Sequence, residues 1–195
     1  MELKAGIKTF YAATRAEWRQ WLEENHQKEK SVWLIIYKKE SKVPSVYYPE
    51  AVDEALCFGW IDSKANKRNA ISYYQFFSKR KTKSKWSQVN KIKIEKLLAD
   101  NLMAPAGLAI IEVAKQNGYW SALDEVEALL IPEDLQNALN NDKKALDNWN
   151  KFPRSAKRAI LEWILNARRP ETREKRITET VTLANKNLRA NQSRP

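Results

Sequence analysis

Between Lys64 and Lys96 lysines and arginines recur, and Glu95 is the sole acid of the stretch. Tyr73, Tyr74, Phe76, Phe77 and Trp86 are interleaved with them. Basic side chains beside aromatic faces can hold phosphates or carboxylates while the rings stack on planar groups. The densest part runs Lys79, Arg80, Lys81, Lys83, Lys85 and is followed by Trp86, Ser87 and Asn90. A helix beginning at Ser84 or Ser87 would place free amides and partial positive charge next to these cations, which favours a bound anion. Ser84, Ser87 and Asn90 could add donors. Arg80 is the expected anchor, because its planar fork can hold two oxygens at once whereas Lys79 acts as a point charge. The plainer alternative is a solvated basic face with its aromatics turned into the core.

Asp62 closes the apolar segment Gly59-Trp60-Ile61 and faces a strongly basic stretch in the sequence. It could orient Lys79 or Arg80 through a charge-assisted hydrogen bond, or act as a general base. An ordinary structural ion pair is the simpler reading. Cys57 lies between Leu56 and Phe58, and the sole histidine, His26, is remote in sequence. Without a base beside it the thiol reads as buried and inert. One Cys and one His give no zinc set, and no acidic ridge suggests iron, so neither metal nor cofactor is expected. No GxGxxG or GxxxxGK[ST] cradle occurs.

The elements that must position these groups follow from local pattern. Thr14-Arg15-Ala16-Glu17 reads as a capping box, opening a helix that carries Trp18, Trp21 and Leu22 on one face. Val32–Tyr37 is a β-branched and aromatic run, short enough for a central strand buried on both faces. Pro49 suits the first turn of a second helix and Gly59 its left-handed stop. Two extended runs, around Trp60–Ser63 and Ala70–Phe77, flank a basic turn and predict a hairpin in an antiparallel sheet. From Ser84 onward the pattern is helical: a helix through Trp86, Val89, Ile94 and Leu97, another over Ala106–Asn117 stopped by Gly118, a third opened by Pro132, and a fourth through Leu146, Trp149 and Phe152. Two more are capped by Ser155 and Thr172. Asn185–Pro195 is a polar, basic tail. Strands in the first half and helices in the second predict an α+β chain: a small antiparallel sheet with helices over residues 1–100, then a helical region over 101–195 packed on or appended to it. Trp33, Ile35, Leu56, Trp60, Leu97, Ile111, Trp163 and Ile164 are the expected core.

The 195 residues are 43% hydrophobic and 30% charged, with a net charge of +11, so a real core is expected together with a bias toward anionic partners. A single cysteine allows no internal disulfide. The start lacks the apolar stretch of a signal peptide, and no run is long and apolar enough to span a membrane, which predicts a cytoplasmic protein.

Ala55-Leu56-Cys57-Phe58-Gly59-Trp60-Ile61-Asp62-Ser63 resembles the YdeI/OmpD-associated, or bacteriocin-protection, family. The resemblance continues at Phe77–Arg80, Ser84–Asn90, Met103–Gly107, Ala114–Gly118 and Glu171–Ile177, in the order that family has. Asn101-Leu102 departs from the Gly-Arg pair expected before Met103. The resemblance implies a YjbR/CyaY-like α+β first half and an association with resistance to bacteriocins or cationic peptides. It implies no settled activity. Together these readings favour a non-enzymatic protein that binds an anionic small molecule or protein partner through Asp62, Lys79, Arg80, Ser84, Trp86, Ser87 and Asn90. The alternatives are nucleic-acid binding through the same segment, or a small-molecule enzyme using Asp62 with Lys79 or Arg80.

Overall fold

The computed structural model describes residues 2–191, in two compact units that divide between Ser121 and Ala122. The last four residues of the basic tail lie outside the described residues.

The first unit opens with β1 (Leu3–Lys4) and β2 (Ile7–Tyr11), an antiparallel pair turned at Ala5 and Gly6, both with positive φ. The sequence pattern gave no sign of either strand. Then come α1 (Arg15–Asn25), β3 (Ser31–Tyr37), α2 (Tyr48–Cys57), β4 (Trp60–Lys67), β5 (Ser72–Lys79), α3 (Gln88–Ala99) and α4 (Pro105–Gln116). Among the described residues the sheet has five strands in the order β1-β2-β3-β5-β4. The β4–β5 hairpin is present and antiparallel, with a register shift between Asp62 and Ala65. The sheet as a whole is mixed, not antiparallel, because β2 pairs parallel to β3. A parallel neighbour needs a crossover connection, and α1 supplies it.

Local chemistry explains the element ends. Thr14 accepts the Glu17 amide, and the Glu17 carboxylate reaches back to the Ala13 amide. Pro49 sits in the first turn of α2, and Gly59 turns the chain into β4 at φ +72°. β3 is buried on both faces, as its run of apolar residues requires. Val32, Leu34 and Ile36 pack with Trp18, Leu22, Leu56, Trp60 and Phe77 under the helices. Trp33 and Ile35 pack with Tyr74 on the opposite face. Two indole donors inside this core find carbonyls, Trp18 Nε1 donating to Ala51 O at 3.0 Å and Trp60 Nε1 to His26 O at 3.3 Å, whereas the buried Trp33 Nε1 has no hydrogen-bond partner among the described residues.

The second unit is helical throughout its regular elements: α5 (Asp124–Glu127), α6 (Glu133–Asn140), α7 (Lys143–Lys151), α8 (Arg154–Leu165) and α9 (Pro170–Asn185). Leu135, Leu139, Trp149, Ile160, Leu161 and Ile164 form its core. Ser155 and Thr172 do not cap their helices: α8 starts after Pro153, and α9 starts with Pro170 in its first turn. The expected core residues Trp33, Ile35, Leu56, Trp60, Leu97, Ile111 and Ile164 are buried. Trp163 is only half-buried, with the Arg176 guanidinium 4.9 Å from its ring centre.

Candidate functional site

The end of β5 delivers Lys79 and Arg80 to one place. The Lys79 amide donates to Lys30 O and the Arg80 amide to Gly59 O, so the strand end is pinned between the start of β3 and the turn into β4. Beyond it the chain makes a turn in which the Ser84 amide donates to Lys81 O. It then brings Trp86 back against Arg80.

Arg80 is only 6% exposed. Its guanidinium carbon lies 3.5 Å from the centre of the Trp86 ring, and Trp86 packs in turn on Trp120 with centroids 5.0 Å apart. Nη2 donates to Lys85 O at 2.6 Å. Nε and Nη1 are closed to solvent and have no hydrogen-bond partner. Burial pulls the Arg80 pKa down to about 10, and the negative charge of Asp62 works in the opposite direction. A cation in this state is costly unless its donors are met, although the electron-rich indole face offsets part of the loss.

Arg80 and Lys79 line a cavity of about 220 Å³ together with His26, Gln27, Gly59 and Ala106. The Lys79 ammonium is tied to Gln27 O at 2.7 Å on its edge. His26 arrives from the end of α1. Its Nδ1 donates to Leu22 O at 2.8 Å, which fixes the tautomer, and its ring lies against Phe58 with centroids 5.2 Å apart. Neither His26 nor Gln27 stood out in the sequence, because only the folded end of α1 brings them opposite β5.

The remaining expected site residues are placed otherwise. Asp62 accepts a hydrogen bond from Tyr48 Oη at 2.7 Å and bonds neither Lys79 nor Arg80. Its carboxylate and burial raise the Tyr48 pKa, burial being the larger cause. Ser84 belongs to the turn. Ser87 is the cap of α3, its hydroxyl accepting from the Asn90 amide at 3.4 Å. Lys91, on α3, is 6% exposed with its ammonium 5.3 Å from the Trp120 ring centre. The expected constellation therefore divides into Arg80 with Trp86, Lys79 on the cavity edge, and a capping pair, Ser87 and Asn90.

Two further buried ionisable groups lie on α2. Glu54, 2% exposed, accepts from Arg15 Nε at 2.5 Å and Arg19 Nη1 at 2.7 Å. Cys57 is fully buried, and burial pushes its thiol up to about 11. Among the described residues no group of three or more His, Cys, Asp or Glu side chains could hold a metal ion, and no helix is long and apolar enough to cross a membrane.

Residues 10–110, just over half of the chain, match the family described as a domain of unknown function (DUF8412). Residues 128–187 match the family described as bacteriocin-protection, YdeI or OmpD-associated. That second span contains Glu171–Ile177, whereas the segments from Ala55 to Gly107 that carried the same resemblance fall within the first. No curated protein and no solved structure matches the chain. Most of the sheet unit, with its Arg80 cavity, thus sits inside one matched span and the other span lies within the helical unit, and the chain belongs to the DUF8412 family and carries a segment in its second unit that matches the bacteriocin-protection, YdeI or OmpD-associated family.

Proposed function

We propose that the first unit is a non-enzymatic binding module for a small oxyanion group, a phosphate, sulfate or carboxylate, held at the cavity of Arg80, Lys79 and His26. The observation that carries this reading is the Arg80 guanidinium, buried against Trp86 with two donors unmet, at the side of a cavity edged by a second cation. Nε and Nη1 lie on different edges of the guanidinium and are both covered, so an arriving oxyanion would accept from one of them, in a charge-assisted hydrogen bond, once the side chain turns toward the cavity. Lys79 would add a point charge. The cavity has room for the anionic group and a few further atoms. The net charge of +11 raises the local concentration of such anions. A role in bacteriocin or stress resistance, suggested by the description of the family matched in the second unit, is part of the same reading. So are a cytoplasmic location and a YjbR/CyaY-like relationship for the sheet unit.

Calorimetric titration with sulfate and phosphate tests it. Arg80→Ala should abolish the binding heat, Lys79→Ala should weaken affinity roughly tenfold as a charge-assisted contact does, and Lys96→Ala, on the exposed side of α3, should leave it unchanged. Equal and negligible effects from all three substitutions would mean that the basic segment is only a solvated face. Steeply salt-dependent, length-dependent binding of single-stranded DNA with no saturable sulfate site would replace this reading by nucleic-acid binding.

A further inference from the structure

A second cleft, of about 430 Å³, opens where the start of α2 meets the end of β3 and the start of β5. Tyr47, Tyr48 and Tyr73 wall it with Ile36 and Pro49. Tyr47 and Tyr48 are 42% and 39% exposed, so two large rings stand open to an incoming molecule. The Tyr48 ring is held in place by the bond from its hydroxyl to Asp62 at 2.7 Å. A mostly apolar, aromatic-lined concavity of this volume, with few polar groups at its edge, is the usual form of a small-molecule site.

The charges on the rim decide what kind of molecule fits. Glu50 accepts the Tyr47 amide at 3.1 Å and faces two lysines, Lys38 and Lys39, on the same rim. Lys38 donates to Ala70 O at 2.8 Å. The Lys39 ammonium makes no hydrogen bond or ion pair among the described residues and stands 4.9 Å from the Tyr47 ring centre. With two cations to one carboxylate the rim is net positive, and the Lys39 ammonium lies directly beside an exposed ring. We infer that this cleft binds a small planar aromatic acid, its ring packed among Tyr47, Tyr48 and Tyr73 and its carboxylate on Lys39. Offset packing on the tyrosine faces supplies affinity, and the ammonium selects the acid over its neutral analogue. The site is separate from the Arg80 cavity: Tyr73 and Arg80 lie near opposite ends of β5, about 23 Å apart along an extended strand.

The test is an NMR titration of the full chain with 2-naphthoate, and with 2-naphthamide as the neutral control. Shifts should centre on Tyr47, Tyr48, Lys39 and Tyr73, with naphthoate bound more tightly than the amide. Tyr47→Ala should weaken naphthoate about tenfold by removing a stacking face. Lys39→Gln should weaken it about tenfold and leave the amide unaffected. The titration is run in saturating sulfate, which fills the Arg80 cavity, and Lys96→Ala, on the exposed side of α3, should change neither affinity. Equal affinity for acid and amide, shifts centred elsewhere, absence of shifts up to the solubility limit, or a loss of naphthoate binding in Lys96→Ala as large as in Lys39→Gln would each overturn the assignment. Failure here leaves the sulfate titration untouched, because that experiment reads a different cavity.

Discussion

The Arg80 guanidinium carbon sits 3.5 Å from the centre of the Trp86 ring, and of its nitrogens only Nη2 has an acceptor, the Lys85 carbonyl. The indole face and one carbonyl satisfy this cation in part. A residue kept only for packing would not need to be charged there.

This leads to a stability prediction. An isolated buried charge is often replaced without loss by an apolar side chain of similar volume. Arg80→Met should therefore leave the unfolding free energy unchanged or raise it by up to about 2 kcal/mol in anion-free buffer. The same variant should lose the extra stability that saturating sulfate gives the parent chain. Urea denaturation with and without sulfate measures both quantities. A loss of more than about 3 kcal/mol in anion-free buffer would show the guanidinium to be a structural partner whose removal breaks a pair.

Cys57 gives a pH prediction. Burial holds the folded thiol up at about 11, although Arg19 acts in the opposite direction. An unfolded cysteine titrates near ~8.5. Between these values the unfolded chain releases a proton that the folded chain keeps, so stability falls as pH rises through that window. Below about pH 8.5 the contribution is fully present. Cys57→Ala should flatten the decline relative to the parent chain, and a thiol reagent at neutral pH should modify Cys57 only as fast as the protein opens. Fast modification of the folded chain would overturn the inert reading of Cys57.

The capping assignment is equally direct. Ser87 is the residue whose hydroxyl takes the Asn90 amide, and Ser84 lies in the preceding turn. Ser87→Ala should cost about 1 kcal/mol, and Ser84→Ala should fall within about 0.5 kcal/mol of the parent. Thermal melts of the two variants rank them, and the reverse order would move the start of α3.

These cases show what the linear sequence could reveal. Features set by neighbours within a few residues were legible: the buried run of β3, the Thr14 cap, the positive φ at Gly59, and the apolar surroundings of Cys57. The basic stretch was legible as composition, but its geometry was not. Strand alternation sends Tyr73 and Phe77 to the helix-covered face of β5 and Tyr74 and Phe76 to the other. One run of aromatics thereby becomes two unrelated clusters. Lysines are usually exposed, yet Lys91 is buried because Trp120, some thirty residues on, lies over it. His26 and Tyr48 reach Arg80 and Asp62 from other elements, and such meetings depend on how helices dock.

Glu54 is the group whose removal should hurt most. It is almost fully buried and receives two arginines. Arg19 additionally donates to Leu102 O at 3.0 Å, tying α1 to the chain after α3. Glu54→Ala would leave Arg19 without its main counter-charge in a partly buried place, and should cost about 3–5 kcal/mol. Arg15→Ala should cost less, because the Arg15 side chain is 39% exposed and solvent compensates its loss. A double-mutant cycle between Glu54 and Arg19 should return a coupling larger than that between Glu54 and Arg15. Equal couplings would mean that α1 adjusts freely over Glu54.

Gly107 tests whether α4 is locked onto α2. A Cβ at this position would stand 2.2 Å from Cys57 O and 2.8 Å from Met103 Cε. The backbone obstacle is fixed, since the Ala104 amide donates to Cys57 O at 3.0 Å. Gly107→Ala must therefore push α4 away from the end of α2, at a cost of roughly 3 kcal/mol. Gly118 provides the comparison. It has φ +77° and nothing within 4 Å of an added Cβ, so Gly118→Ala should cost only the left-handed strain of about 1–2 kcal/mol. Because Ala106 lines the Arg80 cavity, Gly107→Ala should also weaken sulfate binding, which Gly118→Ala should not. Urea denaturation and sulfate titration of both variants give the comparison. Equal costs, with sulfate affinity intact in Gly107→Ala, would show that α4 is free to slide and that its first turn plays no part in shaping the cavity.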